Sequence, residues 1–307
     1  MEILEKRGDE NIATAYLADL GSEKYVEFVE SLGGAQERSD KWVVILSSLS
    51  GCPLNCRFCD ANRFYKSSLS KEEMMVQVDY LIENHGSEDA LNSDKFKVQF
   101  ARIGDPALNP AVIDTIEAVR DKYDPKNYMP CISTIAPEGT DDWFEELKRL
   151  NHEVYRGDFQ LQFSIHSTDD EKRDNLMPDE KWSLDKIAEY GEDFYIGGRK
   201  VTLNFALSEN DQIDPEKLED IFDPEVFAIK ITPLNPTSNA RENELINVFT
   251  EEESREFRVI KELQNGPFDV HVSIGELEEN EIKSNCGQIL LSHFEDDYLK
   301  FKNEERA

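Results

Sequence analysis

The chain has 307 residues (35.3 kDa), and its 34 lysines and arginines against 65 aspartates and glutamates give a net charge of −31. A field of that sign repels phosphate backbones within a Debye length, which is the opposite of a nucleic-acid binder's usual footprint. No apolar run approaches the roughly 18–20 residues that cross a bilayer, so the expectation is a cytoplasmic protein with no membrane partner. Net charge still leaves room for a local basic pocket, and Arg57, Lys172, Arg173, Arg199 and Lys200 lie near the motif segments below.

Residues 1–40 are acidic and carry little strand pattern; they are read as a short N-terminal extension with one helix over 25–32. Short apolar, β-branched runs then recur at fairly regular intervals, over 42–49, 96–103, 130–135, 159–167, 200–207 and 226–233. Most are separated by enough chain for a helix, the pattern of βα units around a parallel sheet. A helix is predicted over 70–83, where Ser70 can cap, Glu72 and Glu73 favour the first turn, and Met74, Val78, Leu81 and Ile82 form a stripe. Further helices are predicted over 109–121, 140–150, 183–190 and 250–263, with 86–94 a polar surface loop. The expected fold is α/β: a partial (β/α)6 barrel core over 41–240, open on one side. Residues 241–307 then supply a helix, a short strand over 269–274, a loop holding Cys286 and a charged tail.

Directly after the first core strand stand Cys52, Cys56 and Cys59, spaced C-x3-C-x2-C with Phe58 before the last. Three thiolates so close can hold three irons of a 4Fe–4S cube and leave the fourth iron without a protein ligand. Zinc is the competing reading, but a structural zinc site pairs cysteines with a second pair downstream, and none follows. The chain has five cysteines, an odd number, which argues against a disulfide framework. In parallel α/β folds the loops after strand C-termini bind ligands, so this triad sits where chemistry is placed.

Other polar runs also fall at strand ends. Arg102-Ile103-Gly104-Asp105-Pro106-Ala107-Leu108-Asn109 offers a glycine for close backbone approach and a carboxylate that can accept from an ammonium, though alone it reads as a turn. Phe163-Ser164-Ile165-His166-Ser167 and Pro233-Leu234-Asn235-Pro236 end the fourth and sixth strands, and Asn285-Cys286-Gly287-Gln288 lies near the C-terminus.

Together these residues resemble the radical S-adenosylmethionine (radical SAM) superfamily, and within it the RlmN/Cfr family of RNA adenine methyltransferases, over roughly residues 26–290. The resemblance implies a 4Fe–4S cluster on Cys52, Cys56 and Cys59, with S-adenosylmethionine chelating the open iron. It implies that one electron, from a donor of flavodoxin or ferredoxin type, frees a 5′-deoxyadenosyl radical. Gly104 and Asp105 match the segment that holds the methionine amine, with Asp105 one methylene shorter than the family's usual Glu. Ser133, Ser164 and His166 match positions lining the nucleoside and methionine, and Asn235 matches another cofactor contact. Cys286 matches the cysteine that is first methylated and then carries the methylene to an sp2 carbon of adenine. Glu27 is the nearest match to the family's base.

The chain departs from that pattern. Ile45 stands where the family has its second essential cysteine, and about 40 residues precede the first core strand, where the family carries an RNA-recognition domain. Cys131 shares a strand face with Ser133; a buried core cysteine is the expected reading, and a replacement resolving thiol the alternative. Two enzyme readings therefore stand: methyl transfer through Cys286 to RNA adenine or another substrate, or radical chemistry on a small molecule, peptide or protein without it. A non-catalytic metal- or partner-binding protein is the third. The net charge disfavours RNA.

Overall fold

A sheet of ten strands organises the molecule, in a computed structural model that describes residues 1–9, 13–32, 35, 37–86, 88–207, 213–245, 255–273 and 287–294. The strands are β1 (Glu2–Asp9), β2 (Ala13–Asp19), β3 (Tyr25–Ser31), β4 (Trp42–Leu46), β5 (Phe96–Phe100), β6 (Tyr128–Thr134), β7 (Gln160–Ser164), β8 (Val201–Leu207), β9 (Phe227–Pro233) and β10 (Asp269–Val272). Their order in the sheet follows the chain. From β4 to β10 every pairing is parallel, and β1 to β4 pair antiparallel.

The helices include α1 (Lys71–His85), α2 (Ala111–Tyr123), α3 (Asp141–Leu150), α4 (Asp170–Leu176), α5 (Leu184–Phe194), α6 (Pro215–Ile221), α7 (Ser238–Glu242), α8 (Arg255–Asn265) and α9 (Gln288–His293). Ser70 begins α1 with a full capping box: its hydroxyl accepts from the Glu73 N–H, and the Glu73 carboxylate accepts from the Ser70 N–H. The predicted stripe holds at Met74, Val78 and Leu81, all fully buried. The segment read as a loop over 86–94 contains a helical turn, Glu88–Leu91, and buries Ala90 and Ser93. The helices α4, α6, α7 and α9 went unread in the sequence. They are short, and α4 and α6 are started by the caps Asp169 and Asp214.

Strand faces divide cleanly by period two. On β5, Phe96, Val98 and Phe100 are buried against the helices, while Lys97 and Gln99 are half-buried on the other face. On β9, Ile229 and Ile231 join the helix-side core, while Lys230 and Thr232 face the other way. One cavity is lined from residues of the loop after β4 through β6, β8 and β9 to Ser273 beyond β10, so the sheet curls into a partial barrel.

Residues 1–40 correct the sequence reading. The predicted helix over 25–32 is strand β3, and β1 and β2 extend the same sheet. The reason is burial on both faces. Tyr16, Ala18, Val26 and Phe28 join the helix-side core, while Ala13, Ala15, Leu17 and Val29 pack with the cysteine loop and with Ile289 and Leu290 of α9. A strand buried twice loses the apolar–polar alternation that marks strands. Its two buried glutamates made it look helical and exposed: Glu30 accepts from Arg38 and the Trp42 indole, and Glu27 is bound as described below.

Candidate active site

The cysteine loop leaves β4 and is held from three sides. The Arg57 N–H donates to the Leu176 carbonyl after α4 (2.9 Å), and the Thr237 hydroxyl donates to the Phe58 carbonyl (2.7 Å). Asp60, fully buried, accepts from the Ser238 and Asn239 N–H groups (2.9 and 2.8 Å), so one carboxylate ties the end of the loop to the start of α7. These bonds hold the loop through its backbone and the Asp60 side chain. Cys52, Cys56 and Cys59 line one wall of a cavity of about 410 Å³.

The remaining walls gather residues far apart in sequence. Gly104, Asp105, Ser133, Ser164, His166 and Asn235 all line this cavity. Gly104 has φ +92°, and a Cβ there would lie 2.3 Å from the Leu49 side chain, so only glycine brings the chain past this point. Asp105 is fixed by the Thr134 hydroxyl (2.7 Å) and the Ile135 and Ala107 N–H groups (2.8 and 3.0 Å). Burial pushes its carboxyl up to about 6 against the pull of those three donors. A carboxylate has about four lone-pair sites, so one remains for an ammonium. Ser133 accepts from the Gln162 amide (3.1 Å).

His166 sits at φ +63° with its Nδ1 accepting from the Ala206 N–H (3.0 Å). That bond fixes the neutral tautomer with the proton on Nε2. Burial, helped by the Arg173 guanidinium, pushes its pKa down to about 3, and the Phe58 ring meets the imidazole edge-on at 4.6 Å. His166 is therefore a donor at neutral pH and not a cation.

Sequence reasoning missed Asn204, Thr134 and Arg102, which also line the cavity. Asn204 carries the clearest sign of an absent partner: its Oδ1 is buried with no hydrogen-bond partner. The only signal available was its inward register beside Ser164. Asn109, in contrast, serves structure, donating to the Ser48 and Leu69 carbonyls (2.7 and 2.8 Å).

Glu27 is not among the cavity residues. It is fully buried, and its carboxylate accepts from the Gly287 and Leu290 N–H groups (3.0 and 2.8 Å) and pairs with Arg102 (2.7 Å). It caps α9 rather than facing the cavity. Cys286 lies outside the described residues. Its neighbour Gly287 packs so close to the segment after Cys59 that a Cβ would lie 2.5 Å from the Ala61 nitrogen. Ile45 is on β4, paired with Val29. Cys131 is fully buried on β6, with its thiol near the Gln160 amide oxygen (3.6 Å) and outside the cavity lining.

Burial pushes the Cys52 thiol up to about 11 and the Cys56 thiol higher still, with the neighbouring Cys52 and Asp105 adding to it. Thiolates in such a wall need a cationic centre. Three thiols on one cavity can hold three irons of a cube.

A cysteine triad on the loop after the first parallel strand, over a polar cavity in a partial barrel, defines a class. The profile of the radical SAM superfamily matches residues 46–204, and the chain belongs to that superfamily. It is a radical SAM enzyme, whose cofactors are a 4Fe–4S cluster and S-adenosylmethionine, and the donor set just described fits them.

Within the superfamily the chain is similar to RlmN proteins. The probable dual-specificity RNA methyltransferase RlmN of Syntrophomonas wolfei is 25% identical over 299 residues, covering 94% of this chain and 79% of that protein. That of Prochlorococcus marinus strain MIT 9303 is 27% identical over 281 residues, covering 87% and 72%. A radical SAM methyltransferase from Sphaerobacter thermophilus shares the fold, with TM-score 0.71 and 19% identity over 93% of this chain and 80% of that one. No helix among the described residues is long and apolar enough to cross a membrane.

Proposed function

We propose that the chain is an RlmN-like methyltransferase that moves a one-carbon unit through Cys286 to an sp2 carbon, with an RNA adenine or another unsaturated substrate as acceptor. The observation that supports this most is the meeting of the cysteine triad and Gly104, Asp105, Ser133, Ser164, His166 and Asn235 on one cavity, with Gly287 packed on the segment that follows Cys59.

When bound, the cluster and S-adenosylmethionine supply a 5′-deoxyadenosyl radical. The protein's own groups bind and shield. Cys52, Cys56 and Cys59 hold the irons. Asp105 offers its free lone pair to the methionine ammonium, and His166 Nε2–H and the Asn204 Oδ1 offer one donor and one acceptor. Leu54, Phe58 and Leu234 give the cavity apolar walls that keep water and stray hydrogen donors out. The Glu27 carboxylate, spent on α9 and Arg102, supports a bracing role for the Cys286 loop in place of a base. A one-electron donor of flavodoxin or ferredoxin type and a cytoplasmic setting complete the proposal.

Mass spectrometry after anaerobic turnover tests it. The peptide containing Cys286 gains the mass of one methylene, and Cys286→Ala abolishes transfer while 5′-deoxyadenosine still forms. An unmodified Cys286 with full turnover overturns it. The net charge of −31 favours the second reading, radical chemistry on a small molecule or peptide, and that result would select it.

A further inference from the structure

We propose that the N-terminal mouth of the barrel, opposite the cysteine cavity, binds a small polyphosphate anion. Lys97 and Lys230 point inward from β5 and β9, and Lys41, Lys95 and Arg199 stand at or just before the starts of β4, β5 and β8. All five are half-buried. Lys97 Nζ donates to the Gln160 amide oxygen (2.8 Å) across β6, beside the Cys131 thiol. Lys95, Lys97, Arg199 and Lys230 form no ion pair with a carboxylate among the described residues.

The cations press on one another. Burial lowers the pKa of Lys41, and Lys97, Lys95 and Arg199 lower it further. Lys95 is lowered by burial, then by Arg199 and Lys97, and Lys230 by burial, then by Lys97 and Lys41. Half-buried like charges repel at low local dielectric, a standing cost to the fold. A chain with 65 acidic residues had ample means to place a carboxylate among them, yet Lys200 next door takes Asp269 while Lys95, Lys97, Arg199 and Lys230 take none among the described residues. The arrangement is paid for if a multivalent anion occupies it. Inward side chains at a barrel mouth reach a compact oxyanion and not a duplex, and guanidinium with ammonium groups is the donor set for phosphate. Against a net charge of −31, only several converging cations hold such an anion.

Calorimetric titration of the full, anaerobically reconstituted protein tests this, with saturating S-adenosylmethionine and low salt. Inorganic tripolyphosphate is expected to bind one saturable site, more weakly as salt rises. Lys97→Met and Lys230→Met should each weaken it about tenfold, while Lys122→Met on α2 leaves it unchanged. ATP binding more tightly than tripolyphosphate would assign the site to a nucleotide, and equal binding to an inorganic chain. Both lysine variants remove repulsion, so their melting temperatures in anion-free buffer should equal or exceed the parent's. Absence of saturable binding, binding that both variants retain, or a single-stranded oligonucleotide bound where tripolyphosphate is not, would overturn the proposal.

Discussion

At one end of the barrel, β5, β6 and β7 run out into Arg102–Asp105, Thr134–Ile135 and His166, around three thiols. At the other end, β5 begins beside Lys95 and Lys97, β8 follows Arg199, and β9 carries Lys230. The first mouth holds a carboxyl pushed up to about 6 and an imidazole held neutral, so burial there suppresses charge. The second crowds cations together, and Lys95, Lys97, Arg199 and Lys230 pair with no carboxylate among the described residues. Burial thus acts on both ends, but at the cysteine end the charged Asp105 is held by protein donors, whereas at the other end cations face one another. Asp105 has three donors of its own, and the Lys230 ammonium has no carboxylate partner among the described residues. An end that is satisfied can be preorganised for a cofactor, and an end that is not waits for a ligand.

The largest test of this contrast is Cys56→Ala. It should abolish 5′-deoxyadenosine formation, a loss of a thousandfold or more, and cut bound iron, yet leave tripolyphosphate binding intact. Loss of both would mean the mouths are coupled. Next comes Glu27→Ala, which breaks the buried pair with Arg102 and uncaps α9. Breaking a buried pair costs about 3–5 kcal/mol, so urea unfolding should show a loss of that order, with one-carbon transfer falling more than 5′-deoxyadenosine formation if Glu27 braces the Cys286 loop.

His166 gives a pH test confined to the cysteine mouth. Its folded pKa of about 3 lies below the 6.5 of the unfolded chain, so below pH 6.5 the unfolded state takes up a proton that the folded state refuses. Stability from this group is whole above pH 6.5 and falls as the pH drops toward 3, by about 2 kcal/mol at pH 5. Apoprotein carrying His166→Asn should lose that much less between pH 7 and pH 5, because asparagine tolerates the positive φ and does not titrate. The smallest effect is Asp60→Ala, which leaves the Thr237 cap of α7 in place but removes the acceptor of the Ser238 and Asn239 N–H groups; it should lower stability by about 1 kcal/mol, measured by thermal melting, while loosening the cysteine loop enough to speed cluster loss in air.

That Cys52, Cys56 and Cys59 belong to one site was legible because thiolates at short spacing are a local signal, and the three line one cavity. The six core strands were legible for a similar reason: short β-branched runs between helices announce a parallel sheet. So were Gly104, Asp105, Ser164 and His166, which fall at strand ends, where the parallel fold puts ligands. Asn204 and Thr134 were not, since an inward polar residue looks like any other until the opposite wall is in place. The strands β1 to β3 failed because both faces are covered, and Glu27 and Glu30 are charges that only tertiary partners could bury.

By itself, then, the sequence determined the class of chemistry and the strand ends that carry it, because those depend on spacing within a few residues. Tertiary structure alone decided where each charge is spent. It sent Glu27 to α9 and Arg102, Asp60 to α7, and gathered Lys41, Lys95, Lys97, Arg199 and Lys230 from four separate strands or the residues just before them. Curling the sheet brings strand ends together across the barrel, and charge interactions depend on that distance and on burial, neither of which a linear chain displays.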